Sequence, residues 1–454
     1  MINLFEYQNK VEFEGSTSKL EGFLDEIWNK REKNSFYSDS DDDKIESQRF
    51  IQFLRNSNEL KSNKYVGVIH FQGKKINLLP KIFFENERKY SIDEINQIQN
   101  HILWWLSYCR KIKFPSYNAS LGSSKNDFFE VLIYLFSKYT RQLLNSSIYK
   151  QYEEVQRELP FIKGRLDSKT YIKENLSKGK WHKLNCIYDA FVLDNEFNKI
   201  IKYVTNLLFN ATSSQDNKKY LREILFILDE VADSRATAEQ CSRIQFNPMF
   251  GEFITVRDYC YLFLNNSISF NYKNDLNLFA FLLPMEYVFE DFIFGFIDKE
   301  IESISAKSQR SDVYLDENKI FNMKPDLWLK TNNKSVIADT KYKVVYSEEN
   351  DPKKGVSQND LYQMTAYAIR FNVDEVILFY PNTIRENQDR GSEIKVNDKL
   401  ANNREIMIKA YQLPIINIQL LNQKLNTNTD LSELFKETKS ELKEHIEKII
   451  YQNN

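Results

Sequence analysis

Asp326, Asp339 and Lys341 are the side chains whose types and spacing best suit chemistry. They lie in the stretch NMKPDLWLKTNNKSVIADTKYK, residues 322–343, which reads as two strands joined by a polar turn at 331–334. Asp326 is placed in the first strand. Asp339 and Lys341 are two apart in the second, so they share one face of the sheet. Two neighbouring carboxylates offer the hard oxygen ligands that Mg2+ (or Mn2+) takes, often with only one or two protein carboxylates among water and phosphate oxygens. A lysine beside them can orient an attacking water or offset negative charge as it develops. The combination suits metal-assisted hydrolysis of a phosphate ester. Such a trio also arises by chance in a chain that is 28% charged, so the elements that would position it must carry the reading further.

Downstream, Ser357-Gln358-Asn359-Asp360 reads as a helix start with a capping-box-like pattern. Asp360, Gln363, Tyr367 and Arg370 then fall on one stripe, with Leu361, Met364, Ala368 and Phe371 on the adjacent apolar one. A buried strand at 376–380 follows, closed by Pro381. Strand, helix and strand make a right-handed crossover that sets this helix against the sheet carrying the acids. Upstream, Pro284 opens a helix in which Glu286 and Glu290 are one turn apart; a solvated face explains that pair as well as a functional role does. The proline–aspartate and Asp-x-Lys hairpin resembles the metal-dependent nucleases of the PD-(D/E)xK type, and Gln363-x-x-x-Tyr367 resembles the QxxxY helix motif of RecB-family nucleases. The resemblance implies that Asp326, Asp339, Lys341 and Glu290 are catalytic. Asp326, Asp339 and Glu290 would be the metal ligands, supported by Gln363 and Tyr367.

The 454 residues allow two to three domains with substantial cores. Hydrophobic residues make up 42% and aromatics 14%, an ordinary globular balance, and the 11 Gly and 9 Pro favour long helices over tight loops. With a net charge of −2 the global field is close to zero, so any nucleic acid would be held by local basic groups. Lys343, Lys353, Lys354 and Arg370 are the candidates near the hairpin. The N-terminus has no charged-then-apolar signal pattern and no run of eighteen apolar residues occurs, so a cytoplasmic protein without membrane contact is expected. Cys109, Cys186, Cys241 and Cys260 form no CxxC pair and the four histidines are dispersed, which argues against zinc, iron–sulfur and disulfide frameworks. Neither GxxxxGK[ST] nor GxGxxG is present. This chain is therefore expected to bind no nucleotide, and any motor it needs would be a separate polypeptide.

The remaining pattern divides the chain into an N-terminal α+β domain (1–124), a largely helical, stalk-like partner-binding region (125–265) and a C-terminal α/β nuclease domain of restriction-endonuclease-like fold (266–454). The first holds an amphipathic helix at 18–33 with Leu20, Phe23, Leu24 and Trp28 on one side. An acidic loop follows at 39–43, then a hairpin whose strands 65–71 and 75–79 flank Gln72-Gly73-Lys74, then a core helix at 92–108. The second holds helices at 127–144, 195–209 and 216–233, and a polar stretch at 151–157. Lys163 and Arg165 lead a basic run to Lys183, which is either a solvated face or a contact with phosphates or a partner; both are taken as candidate partner-binding residues. The third adds a polar segment from Pro381 to about 403, two strands within 404–421 broken by Pro414, and a charged helix at 431–450.

Taken together, the segments resemble the McrC family, the nuclease subunit of McrBC-type, 5-methylcytosine-dependent restriction systems. The resemblance is carried by YVGVI at 65–69 with LPKI at 79–82, ELPFIKGRL at 158–166, DNEFNK at 194–199, MEYVFE at 285–290, Lys324-Pro325-Asp326, DTKY at 339–342 and DLYQM at 360–364. It implies an endonuclease that cuts double-stranded, modified DNA with Mg2+. It also implies that the N-terminal half docks on and stimulates a hexameric McrB-like AAA+ GTPase or NTPase. Two alternatives stay open: a RecB-like exonuclease or repair nuclease, and a non-cutting adaptor that only activates its NTPase.

Overall fold

A computed structural model describes residues 2–15, 17–30, 50–54, 58–71, 74–110, 128–269, 279–308, 313–331, 335–345, 353, 355–384, 391–398, 404–422 and 431–451. The acidic run at 39–43, most of the turns at 72–74 and 331–334, Lys354, and the side chains of Phe23 and Trp28 lie outside the described residues. Contacts gather the chain into two units, Met1–Leu132 with Asn265–Asn454, and Ile133–Leu264.

The first unit begins with strand β1 (Ile2–Phe5), β2 (Lys10–Glu12), helix α1 (Thr17–Lys30), β3 (Ile51–Leu54), β4 (Glu59–Ser62), β5 (Tyr65–Phe71), β6 (Lys74–Leu79) and α2 (Ile92–Tyr108). β5 and β6 are the expected hairpin. β1 pairs parallel to β6, while β2, β4 and β3 form a separate three-stranded sheet. Leu20 and Leu24 of α1 pack with Phe13, Leu60, Tyr65, Ile69 and Leu78 in one core. Ser91 caps α2 with a complete capping box to Glu94.

In the second unit, helices α3 (Phe128–Ser146), α4 (Glu196–Ala211), α5 (Gln215–Ile227) and α6 (Phe253–Asn266) accompany a sheet of β7 (Gln151–Leu159), β8 (Arg165–Leu166) and β9 (Leu184–Val192), in the order β7-β9-β8. This region was expected to be largely helical, and it is mixed. β7 and β9 run antiparallel over nine residues each, yet most of their side chains are exposed or half-buried. β7, QYEEVQREL, has two wet faces and so carries no period-2 apolar signal; its backbone ladder to β9 rather than a buried face holds it. The helix expected at 216–233 ends at Ile227.

The chain then returns to the first unit with β10 (Ser267–Ser269), β11 (Phe279–Pro284), α7 (Met285–Glu300), β12 (Ser305–Ser308), β13 (Val313–Tyr314), β14 (Asn322–Met323), β15 (Leu327–Lys330), β16 (Ser335–Thr340), α8 (Gln358–Phe371), β17 (Glu375–Pro381), β18 (Ser392–Asp398), β19 (Arg404–Leu413) and α9 (Lys436–Tyr451). β11 pairs with β5, completing a five-stranded sheet β1-β6-β5-β11-β10 from both ends of the chain. At Gly67 the strands come so close that a Cβ would collide with the Phe281 carbonyl. A second sheet, β12-β15-β16-β17-β19-β18, is parallel across β16, β17 and β19. α8 is the crossover between β16 and β17, and its Met364, Tyr367 and Ala368 pack with Ile337, Val376, Leu378 and Ile408. Two expectations change here. The polar segment after Pro381 contains β18, an edge strand on β19. The region around Pro414 is one strand ending at Leu413 and then a short helix, Ile418–Leu421, rather than two strands. Among the described residues no helix is long and apolar enough to cross a membrane.

Candidate active site

The register of the hairpin brings the two acids face to face. Leu327 pairs with Ala338, so Asp326, one residue before β15 rather than inside it, stands opposite Asp339. The Asp326 Oδ2 accepts the Thr340 backbone N–H at 2.8 Å and its hydroxyl at 2.7 Å. The Asp326 N–H in turn donates to the Asp339 carboxylate. Lys341 lies just past the end of β16, but its N–H still donates to the Phe379 carbonyl at 2.8 Å, and its ammonium forms an ion pair with Asp339 Oδ2. The Asp339 side chain is 1% exposed and that of Lys341 20%.

Burial controls the charges. It pushes the Asp339 carboxyl up to about 7, helped by the negative charge of Asp326 and opposed by Lys341. Burial alone would lower Lys341, but Asp339, Asp326 and Asp360 outweigh it and hold the ammonium above its ordinary range. Lys341 is thus protonated at neutral pH. Two opposed carboxylates, one of them nearly dry, are a hard-oxygen donor pair whose mutual repulsion a divalent cation would relieve. By donor chemistry they fit Mg2+ or Mn2+.

Helix α8 supports the corner from the side. Ser357 caps it by accepting the Asp360 N–H. Gln363 donates to the Tyr367 hydroxyl at 2.9 Å, and that hydroxyl donates to the Lys324 carbonyl at 3.1 Å. The glutamine–tyrosine pair therefore fastens the backbone two residues before Asp326. Burial, then the charge of Asp339, pushes the Tyr367 phenol up to about 12, so it remains a donor. Lys343 grips both oxygens of buried Asp360 at 2.8 and 2.7 Å, and the Tyr380 hydroxyl lies 3.3 Å from the same carboxylate. Arg370 donates to the Tyr314 carbonyl at 2.9 and 2.6 Å. Lys343 and Arg370, both candidate DNA-binding cations, are thus engaged within the protein. Lys353 is exposed.

Glu290 is half-buried on α7 and Glu286 exposed in its first turn. Among the described residues no group of three or more His, Cys, Asp and Glu side chains is close enough to hold a metal; the structure brings Asp326 and Asp339 together without a third acid. Lys163 and Arg165 are exposed in the second unit, with the Lys163 ammonium 4.2 Å from the centroid of the Tyr188 ring. Thr340 and the Lys324 carbonyl were not anticipated. Thr340 sits between Asp339 and Lys341, and its position in that triplet was the only available hint. The carbonyl left no trace in side-chain patterning.

A family profile described as McrBC 5-methylcytosine restriction system component matches residues 60–381. The type IV methyl-directed restriction enzyme EcoKMcrBC of Escherichia coli (strain K12) is 25% identical over 278 residues, covering 57% of this chain and 76% of that protein. Among solved structures, a chain of the refined half-complex from a tetradecameric assembly of Thermococcus gammatolerans McrB AAA+ hexamers with bound McrC matches with a TM-score of 0.67 at 17% identity, over 99% of both chains. At that identity the likeness speaks for the fold.

Proposed function

The chain belongs to the McrBC 5-methylcytosine restriction system component family, and we propose that it is the subunit that cuts DNA, a metal-dependent endonuclease working beside a McrB-like AAA+ hexamer in defence against foreign DNA. One observation carries the reading: Asp326 and buried Asp339 face each other across adjacent strands, with the Lys341 ammonium held on Asp339. Asp326 and Asp339 would hold Mg2+ or Mn2+, which when bound supplies charge neutralisation at the phosphate and a more acidic water. Lys341, charged at neutral pH, orients the attacking water and offsets charge gathering on the phosphoryl oxygens. Thr340 holds the Asp326 carboxylate in place, and Tyr367 fixes the backbone leading into it. The absence of a phosphate-cradling motif from the sequence supports a division of labour in which the partner consumes the nucleotide.

The test is Asp339→Ala in the presence of the partner NTPase, Mg2+ and modified double-stranded DNA. Cleavage should vanish while the partner's nucleotide hydrolysis is still stimulated. Undiminished cleavage by the variant would remove the assignment. A second reading, an adaptor that activates its NTPase without cutting, draws on the lack of a third acid beside Asp326 and Asp339 among the described residues. It predicts that the wild-type pair never cuts DNA in Mg2+ or Mn2+.

A further inference from the structure

Three consecutive side chains at the end of β16 are tied to three different parts of the first unit. Lys341 pairs with Asp339 in its own strand, Lys343 holds Asp360 on α8, and Tyr342 between them reaches Glu6, the residue after β1. The backbone turns tightly here: the Lys343 N–H donates to the Lys341 carbonyl at 2.8 Å, a three-residue turn with Tyr342 at its apex. Tyr342 is 4% exposed, and its hydroxyl donates to Glu6 Oε2 at 3.0 Å. The same oxygen accepts the Lys81 N–H at 3.2 Å, and the Lys81 ammonium lies 4.5 Å from the centroid of the Tyr342 ring. Phe289 of α7 packs on that ring at 5.9 Å. Glu6 belongs to the β1–β6 frame, its own N–H donating to the Leu79 carbonyl at 3.0 Å.

The geometry points to Glu6 as a positioning residue for Lys341: by holding the Tyr342 hydroxyl, the N-terminal sheet fixes the turn that begins at Lys341 and so sets where its ammonium stands against Asp339. Glu6 is 336 residues from Tyr342 along the chain, and a buried carboxylate is costly unless its contacts are used. A shift of about 1 Å in a reacting group can cost on the order of a hundredfold in rate, so one buried hydrogen bond at this turn is enough to matter. The inference rests on the hydrolytic reading of Asp326, Asp339 and Lys341, and its test is arranged to fail separately.

Single-turnover cleavage by the full chain with its partner and Mg2+ is compared for wild type, Tyr342→Phe, Glu6→Ala and Glu6→Gln. Tyr342→Phe and Glu6→Ala should each slow cleavage about tenfold with DNA affinity unchanged, and the double variant should be no slower than the slower single one. Glu6→Gln keeps an acceptor oxygen and should cut near the wild-type rate. In parallel, modification of Lys341 by an amine-reactive reagent is followed by mass spectrometry. It should be several-fold faster in Tyr342→Phe and Glu6→Ala, with Lys163, exposed in the second unit, unchanged as an internal control. Lys341 labelling at the wild-type rate in both variants, or equal damage from Glu6→Gln and Glu6→Ala, overturns the inference. If Asp339→Ala still cuts, the hydrolytic reading falls, and the labelling still decides whether Glu6 positions Lys341.

Discussion

Lysine–carboxylate pairs occur both at the end of β16 and in the β7–β9 segment of the second unit, in opposite surroundings. At the first, Asp339 and Asp360 are buried, Asp339 paired with Lys341 and Asp360 with Lys343. On the second, Glu158 with Lys183 and Glu174 with Lys178 lie at 2.7 and 2.9 Å, with side chains 40–55% exposed. The distances are alike; the solvent is not. Water and salt screen the exposed pairs until little remains, whereas the buried charges are held by a few fixed partners with little screening. The corner also holds two carboxylates that repel each other, an arrangement that stability alone would remove and that functional sites retain. The same residue types make screened surface pairs in one place and a buried, charge-crowded corner in the other.

The contrast breaks most visibly at Lys341. Lys341→Met keeps the length of the side chain and removes the charge, and cleavage should fall by about 10²–10³-fold, the scale seen when one preorganised electrostatic donor is lost. A single-turnover rate within a factor of about two of wild type would put Lys341 in the same class as the exposed lysines.

Glu6 comes next. Burial pushes its carboxyl up to about 7, against the lowering influence of Lys81. A raised folded value means that the folded state holds the proton more tightly than the unfolded chain does. Stability is therefore fullest below the ordinary carboxylate range near pH 4.5 and declines as pH rises to about 7. The decline amounts to about 3 kcal/mol. Denaturant melts at pH 5 and pH 8 should show it for wild type, and Glu6→Gln should reduce it, leaving the like-signed contribution of Asp339. A wild-type stability that rises over that interval would show the sign to be wrong for this residue. Lys343 is smaller again. Lys343→Met strands buried Asp360, but the lysine side chain is 47% exposed, so the loss should be about 1 kcal/mol after screening, read as a modest drop in denaturation midpoint.

How much of this was legible depended on the range of the signal. The hairpin, the Ser357 cap and the two stripes of α8 were readable because each is written within a few residues, as alternation, cap chemistry and helical spacing. The same pattern put Asp326 inside the first strand, whereas it lies one residue before β15, and its placement opposite Asp339 comes from the register. The joining of β11 to β5 was not readable, since two apolar strands about two hundred residues apart name no partner. Glu6 was invisible for the same reason: nothing near Ile2–Phe5 marks its next residue as the acceptor for a tyrosine beside the corner lysine. β7, QYEEVQREL, was missed because its polarity on both faces looks like a loop; β9, LNCIYDAFV, is mostly apolar, and nothing local tied it to so polar a partner strand. Lys343 and Arg370 were DNA-binding candidates on sign and proximity alone; both are exposed, and each also has a partner inside the fold.

The exposed sheet of the second unit should yield the smallest effects on stability. Lys183→Ala and Glu158→Ala each remove one member of a wet pair, and the melting temperature should move by less than about 1 °C. Lys163→Glu with Arg165→Glu tests something else at the same cost. These side chains are exposed and the charge is reversed rather than deleted, so a partner or phosphate that uses them would now be repelled. Stimulation of the partner NTPase should weaken, more at low salt than at high, while the folded chain stays equally stable. If stimulation holds at low salt, the basic run is a solvated face. If instead the melting temperature collapses, these charges support the fold in the way the buried corner does, and the contrast between the two regions is lost.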